Sequence, residues 1–281
     1  MKRIPLLLLL LSAFCSTSSV AQLIVGPDTL CVENKLQLNT TVSGASTYYW
    51  GFCSAYLNNI PTGSSIAAGT GLDQPSSICM AKDGNNYFVF VVNSASPYDL
   101  IRYDFGTSLS NVPVATNMGN FGGQIPVNST GFEIVQSGGN WYGMLVGGIG
   151  AINSDMIRMD FGTSLANTPT LFDLGNLAGL LLNPQDLYVF QQGNNWHAFT
   201  NNGLTGNLIR LDFGASITNI PNLVNLGNPG TLAFPTGMWP VFDGTDWHLF
   251  LVNRITQSIT RLDFGNSLLN AFVETDLGNF G

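Results

Sequence analysis

The sequence predicts an all-β protein, a β-propeller built from four-stranded blades. A seven-residue motif returns at intervals of 51 to 56 residues, which is the signature of a repeat protein. Glycine, a residue typical of tight turns, makes up 32 of the 281 residues. Charged residues make up only 9% of the chain, too few for the surfaces of long helices. Four short strands in a unit of this length are typical of a propeller blade.

Residues 1–21 are predicted to be a secretory signal peptide. Lys2 and Arg3 form its basic start, Leu6–Leu11 form its apolar stretch, and a cleavage site of small residues ends at Ala21. We therefore expect a protein that is secreted or held at the cell surface, with no transmembrane segment in the mature chain. Cleavage leaves 7 basic residues against 17 acidic ones, and a net charge of −10 provides no basic footprint for nucleic acid.

The repeated motif has the form Leu-Ile-Arg-x-Asp-Phe-Gly and predicts the third strand of each blade. Alternation along a strand places its Arg and its Asp on one face, which in a propeller meets the next blade. We expect each Arg to bridge an Asp or the backbone carbonyls of another blade; a ring of arginines that bind an anion is the alternative. The pairs are Arg102/Asp104, Arg158/Asp160, Arg210/Asp212 and Arg261/Asp263.

The repeats divide most of the chain into blades of about 52 residues. In each blade an apolar first strand such as Phe132–Val135 leads through a Gly/Asn turn to the second strand, and the motif and a fourth strand follow. The clear units are residues 72–122, 123–178, 179–229 and 230–281.

Residues 22–71 fit as a diverged first blade, which makes about five blades in all. Leu57–Pro61 matches Leu109–Pro113 after a shift of 52 residues. The alternative is that this segment belongs in part to an Ig-like sandwich. In an oxidising compartment Cys31 and Cys53 are the expected disulfide pair, which leaves Cys79 as a small buried side chain.

The repeat resembles those of large secreted surface proteins of Bacteroidetes bacteria. The resemblance covers residues 57 to 281 and depends on the pattern Leu-x-Arg-Leu-Asp-Phe-Gly-x-Ser-Leu-x-Asn. Such proteins combine propeller-like arrays with PKD-type Ig-like domains and a C-terminal sorting domain for type IX secretion. The segment from Thr29 to Trp50 also looks like the opening of a PKD-type domain. The resemblance therefore implies export to the cell surface.

Aromatic residues and departures from the repeat are the candidate ligand-binding positions. Trp141, Trp196 and Trp247 follow the hairpin turns, where they either pin the hairpin to the core or hold a sugar ring. Equivalent positions on the first strands carry Cys79, Glu133, Tyr188 and Trp239, which face the ligand if these strands line the central channel. His197 and His248 share a repeat position with Phe88 and Tyr142, so we expect them to pack as aromatic rings with a polar tip.

These observations lead to the expectation of a non-enzymatic binding or adhesion module at the bacterial cell surface, with a protein or glycan partner. No catalytic residues, no metal ligands and no cofactor are predicted. One alternative is a propeller lectin with a glycan site in each blade. Another is a metal-assisted propeller hydrolase or lyase, in which Glu133 and Asp186 are the carboxylates of the channel.

Overall fold

The computed structural model describes residues 71–150 and 153–279, which form four antiparallel sheets of four strands. Each sheet is a meander, so its strands are hydrogen-bonded in chain order. A short 3₁₀ turn, Leu177–Gly179, lies between the second and third sheets. The strands are β1 Pro75–Asp83, β2 Asn86–Asn93, β3 Leu100–Gly106, β4 Val114–Gly119, β5 Gly131–Ser137, β6 Asn140–Gly147, β7 Asp155–Gly162, β8 Thr170–Asp173, β9 Pro184–Gln192, β10 Asn195–Asn202, β11 Leu208–Gly214, β12 Asn222–Gly227, β13 Pro235–Phe242, β14 Trp247–Asn253, β15 Ser258–Gly265 and β16 Val273–Gly278.

The all-β propeller with four-stranded blades is confirmed. The described residues hold four blades, whereas the sequence predicted about five. The blade or PKD/Ig-like segment expected over residues 22–71, and the Cys31–Cys53 disulfide expected within it, lie outside the described residues. No helix in the described part of the chain is long and apolar enough to cross a membrane.

The repeated motif ends each third strand in a bulge, which explains its glycine and the asparagine that follows. Trp141 pairs with Gly162, and the register then shifts by one residue. Gly162 has a φ of +68°, a conformation that favours glycine over other residues. The side-chain amide of Asn167 donates to the carbonyl of Phe161 at 2.9 Å and so holds the turn closed. The other three blades repeat this bond.

Neighbouring blades are joined by three hydrophobic clusters, each shared by two successive sheets. Three motif phenylalanines, Phe161, Phe213 and Phe264, lie in these clusters, whereas Phe105 lies in a separate cluster of the first sheet. The turn after the motif also contributes an apolar residue: Leu165, Ile217 and Leu268 are all buried. Leu109 holds the same position in the first described blade, but 46% of its surface is exposed. This turn therefore packs only where another described blade precedes it.

Three of the four motif arginines connect their blade to the turn of the next described blade, through backbone carbonyls as the sequence predicted. Arg102 Nη1 donates to the carbonyl of Leu165 at 3.0 Å, Arg158 Nη1 to Thr218 at 2.8 Å, and Arg210 Nη1 to Leu269 at 3.1 Å. We call this bond the inter-blade arginine contact. The motif arginines therefore have a structural role at the blade boundaries.

The motif aspartates differ from the expectation that an Asp of one blade would receive an Arg of another. Asp160 pairs with Arg158 of its own strand, with 2.7 Å between Oδ1 and Nε. Asp212 and Asp263 likewise pair with the Arg two residues earlier in their own strands. Residues two apart on one face of a strand are near enough for the long Arg side chain to reach back, so each carboxylate is satisfied within its own blade.

Asp104 departs further from the predicted pairing. In the described part of the chain it has no carboxylate oxygen within 4.0 Å of a guanidinium nitrogen of Arg102. Its Oδ1 instead accepts a hydrogen bond from the backbone nitrogen of Gly106 at 2.8 Å, within the bulge that ends the motif. Arg102 directs its Nη1 to the following turn, where the carbonyls of Leu165 and Asn167 both lie within hydrogen-bond distance. The first Arg-x-Asp unit is therefore two separate contacts rather than an ion pair.

The first strand of each blade lies at the inside of the propeller, and these inner strands contact one another in series. β1 contacts β5, β5 contacts β9, and β9 contacts β13. The approach is closest at Gly131, where an added Cβ would lie 2.5 Å from the backbone nitrogen of Leu187. Thr130 Oγ1 donates to the carbonyl of Pro184 at 2.6 Å at the same end of these strands. The inner strands therefore start at one level, and their side chains lie close together.

Candidate functional site

The four residues predicted to face a ligand occupy equivalent positions on the inner strands. In the sheet registers Cys79 pairs with Phe90, Glu133 with Met144, Tyr188 with Phe199 and Trp239 with Phe250. The sequence neighbours of Glu133 and Tyr188 are buried in the inter-blade clusters, and alternation turns these two side chains to the other face of the strand. The neighbours of Cys79, Ile78 and Met80, are instead exposed. Trp239 is the most open of the four, with 67% of its surface exposed.

Glu133 is the electrostatic centre of this group. Burial raises the pKa of its carboxyl group to about 7, and the negative charge of Asp186 adds to the shift. No hydrogen bond to the Glu133 side chain is present within residues 71–150 and 153–279. A partly buried carboxyl group without a donor is more stable in its protonated form, because its charge is poorly solvated. Burial therefore favours the protonated form of Glu133 over the pH range in which an exposed glutamate is ionised.

Asp186 is held in place by the backbone of two neighbouring strands. Its Oδ2 accepts a hydrogen bond from the backbone nitrogen of Met238 at 2.7 Å, and its Oδ1 accepts one from Leu187 at 2.8 Å. Burial raises the pKa of Asp186 to about 6, although these two N–H donors oppose the shift. Because this value is lower than that of Glu133, Asp186 loses its proton first. The two N–H donors favour the ionised form of Asp186, whereas Glu133 has no such donors among the described residues.

The side chains on either side of Glu133 are also affected by its charge. Burial raises the pKa of the Cys79 thiol to about 12, with Glu133 as the second cause. Burial and Glu133 likewise raise the pKa of the Tyr188 hydroxyl group. Both groups are consequently neutral at physiological pH, as a thiol and a phenol. β1, β5 and β9 thus bring Cys79, Glu133, Asp186 and Tyr188 into one electrostatically coupled cluster.

The tryptophans that follow the hairpin turns lie elsewhere. Trp141 and Trp196 are each only 8% exposed, and they belong to the hydrophobic clusters between blades. Trp247 is half-buried and packs on Phe242, with 5.2 Å between the ring centroids. The buried rings leave no open face for a sugar, so they pin the hairpins to the core. Repeated glycan sites at these tryptophans are therefore not supported by the structure.

The two histidines also serve the blade framework. His197 is buried, stacks on Phe190 at 5.3 Å between centroids, and has its Nδ1 2.6 Å from Oδ1 of Asp212. In the fourth described blade, His248 Nδ1 lies 2.5 Å from Oδ1 of Asp263 on the adjacent strand. No group of three or more His, Cys, Asp or Glu side chains suited to a metal ion is found among the described residues.

No protein-family model and no curated protein matches the chain. Solved structures do match its fold. A thermostable family-43 glycoside hydrolase is 9% identical, with 73% of each chain covered and a TM-score of 0.50. The GH43_1 enzyme from Xanthomonas citri is 10% identical, with 76% of each chain covered and a TM-score of 0.50. The same enzyme complexed with xylose also gives a TM-score of 0.50, at 9% identity over 76% of this chain and 75% of that one.

The prediction of a non-enzymatic adhesion module is wrong in the light of these matches, which are glycoside hydrolases. The sequence offered a hydrolase with Glu133 and Asp186 only as an alternative, because it holds no contiguous catalytic motif and the inner strands bring together single residues of different blades. One signal was visible: Glu133 and Asp186 are acidic residues within otherwise largely apolar first strands. At 9% to 10% identity the likeness establishes the fold alone, so activity has to be argued from the site.

Proposed function

We propose that the protein is a glycan-active hydrolase whose site lies on the inner strands, with Glu133 as the proton donor. The observation that carries the proposal is the partly buried Glu133 carboxyl group, with a pKa of about 7, beside the fixed carboxylate of Asp186. The likeness of the fold to a family-43 glycoside hydrolase and to the GH43_1 enzyme supports the same class of reaction.

Hydrolysis of a glycosidic bond requires an acid that protonates the departing oxygen and an ionised carboxylate that acts on the other side of the sugar. An acid is most effective when its pKa is near the working pH. Glu133 meets this condition, and Asp186 is the member of the pair that ionises first. When their environments separate the pKa values of two carboxyl groups, the group with the higher pKa acts as the acid and the other acts as the carboxylate.

Two aromatic residues of the inner strands suit the binding of a sugar. Tyr188 and Trp239 follow Glu133 around the inner face, at equivalent positions of the next two blades. The ring of Trp239 is 67% exposed, so it offers an apolar face and an indole N–H to a ligand. Glycan binding without hydrolysis is the second candidate function, and this exposed ring is the observation that favours it.

Export is part of the proposal. A signal peptide over residues 1–21 would bring the enzyme to extracellular polysaccharide, in keeping with the resemblance to secreted Bacteroidetes proteins. A diverged blade over residues 22–71 remains a prediction. It would add a fifth inner strand to the four that are described.

The test is an activity screen of residues 22–281 on neutral and acidic oligosaccharides, with released sugars measured by chromatography. We expect hydrolysis of at least one class, and a loss of kcat of about 100-fold or more in Glu133→Gln, as for other catalytic acids. Asp246→Asn is the matched control, because Asp246 is exposed on the β13–β14 turn at the opposite end of the strand. Binding without turnover would favour the second candidate, and neither binding nor turnover would refute the proposal.

A further inference from the structure

Arg254 differs from every other arginine in the described part of the chain. Arg102, Arg158, Arg210 and Arg261 all belong to the repeated motif and lie at blade boundaries. Arg254 instead lies in the loop between β14 and β15, where it is exposed. No carboxylate oxygen among the described residues lies within 4.0 Å of its guanidinium group. Arg102 also lacks a carboxylate partner, but it donates to carbonyls of the next turn, whereas no side-chain hydrogen bond of Arg254 is found among the described residues.

The loop backbone and an aromatic ring hold this arginine in position. The backbone nitrogen of Arg254 donates to the carbonyl of Phe234 at 3.1 Å, and that of Ile255 donates to Ala233 at 3.2 Å. The guanidinium carbon lies 5.5 Å from the centroid of the Phe234 ring. Stacking on an aromatic ring leaves the N–H groups at the edge of a guanidinium free to bind another group. The side chain is therefore partly preorganised.

Phe234 itself adopts a strained backbone conformation. Its φ is +53°, a region that bulky residues rarely occupy. Asn128 and Asn183 precede two of the other inner strands with φ values of +49° and +56°, and Asn tolerates this region better than Phe. Such strain is energetically costly and is concentrated at ligand-binding sites. The fourth described blade thus bears this cost while presenting an aromatic ring beneath Arg254.

The Arg254–Phe234 pair lies at the same end of the inner strands as the carboxyl pair. Phe234 immediately precedes β13, while Glu133 and Asp186 are each the third residue of their strands. Asp186 is hydrogen-bonded to Met238, the fourth residue of β13. Glu133, Asp186 and the Arg254–Phe234 pair are therefore all associated with the starts of inner strands.

We propose that Arg254 and Phe234 form a subsite for a carboxylate, so that the glycan carries a uronic acid. This inference rests on the proposed function. A guanidinium group binds a carboxylate through two parallel hydrogen bonds, which neutral sugars cannot provide. The net charge of −8 disfavours a polyanion along the whole site, whereas a single exposed arginine matches one acidic group. The ligand is therefore a largely neutral glycan with isolated uronic acid residues.

The experiment compares binding to an array of oligosaccharide pairs that differ only in one uronic acid, using Glu133→Gln protein so that turnover does not interfere. We expect a preference of at least tenfold for the acidic member of one or more pairs, weakened by added salt. Arg254→Gln should abolish the preference, and Arg254→Lys should retain only part of it because a point charge lacks the fork geometry.

Lys82→Gln is the matched control. Lys82 is also exposed and lies over an aromatic ring, at 5.1 Å from the centroid of Tyr87, but it is near the opposite end of an inner strand. Its loss should leave the preference unchanged. Equal binding of neutral and acidic members would overturn this subsite while leaving the hydrolase proposal intact. A preference for the acidic member without turnover by the wild-type protein would support the subsite and contradict the hydrolase proposal. An absence of binding to any pair would overturn the subsite.

Discussion

Arg210→Ala tests whether the inter-blade arginine contact holds the propeller together. The change removes the 3.1 Å bond to the carbonyl of Leu269 and the paired bonds to Asp212. Asp212 then keeps its contact with His197. Hydrogen bonds to a charged group contribute about 1.5–3 kcal/mol when buried. Because 15% of the Arg210 side chain is exposed, we expect a loss near the lower end, about 2 kcal/mol.

The assay is thermal unfolding followed by circular dichroism. For a domain of this size about 2 kcal/mol corresponds to a fall in Tm of roughly 4–8 °C. Arg261→Ala is the control, because Arg261 pairs with Asp263 but donates to no following turn within the described residues, and its side chain is 35% exposed. We expect a loss of about 1 kcal/mol or less for this variant. Equal falls in Tm for the two variants, or no fall for Arg210→Ala, would refute the reasoning.

Three further predictions concern the framework of the site. Gly131→Ala should lower Tm by several degrees and reduce activity, because its Cβ would lie 2.5 Å from Leu187 N; Tm and kcat measured together check this. The pKa of His248 is raised, first by its hydrogen bond with Asp263, so its stabilising contribution is complete below pH 6.5 and is lost as pH rises through the folded-state pKa. In a plot of Tm against pH, the fall on the alkaline side should therefore be smaller for His248→Phe than for the wild-type protein. Cys79, with a pKa of about 12, should remain unalkylated by iodoacetamide at pH 8 in the folded protein, as judged by mass spectrometry.

The repeat motif predicted the parts of the fold that depend on local sequence. The Gly and Asn at the positions of Gly162 and Asn167 recur in every blade, because each blade needs a bulge and a closed turn. Their spacing therefore predicted the third strand and the end of each blade. Alternation along β5 also placed Glu133 on a different face from Phe132 and Ile134. These features follow from the geometry of one strand, and one sequence is sufficient to see them.

The features that the sequence did not predict depend on packing between blades. Trp141 and Trp196 could equally have been exposed or buried, since alternation does not show how far the next blade covers a ring. The bond between Asp186 and Met238 joins residues 52 positions apart and leaves no local pattern. Arg254 was visible as the one arginine outside the motif after residue 71, but only the structure places it over Phe234.

The partners of the motif aspartates show the same limit. Asp104 and Asp160 hold the same position in similar sequences, yet only Asp160 pairs with the Arg of its own strand. Both arginines donate to a carbonyl of the next turn, but only Arg158 also directs its Nε to the Asp of its own strand. A repeat pattern predicts which residues share a face, but the choice between two nearby partners depends on the neighbouring blade.

The most direct test of the central claim is the pH dependence of kcat/KM for hydrolysis by wild-type protein and Asp186→Asn. If Glu133 donates the proton, wild-type activity falls as pH rises past about 7. Removing the charge of Asp186 lowers the pKa of Glu133, so any residual activity of Asp186→Asn should fall at a lower pH. An alkaline limb that does not move in this variant, or wild-type rates in Glu133→Gln, would contradict the assignment.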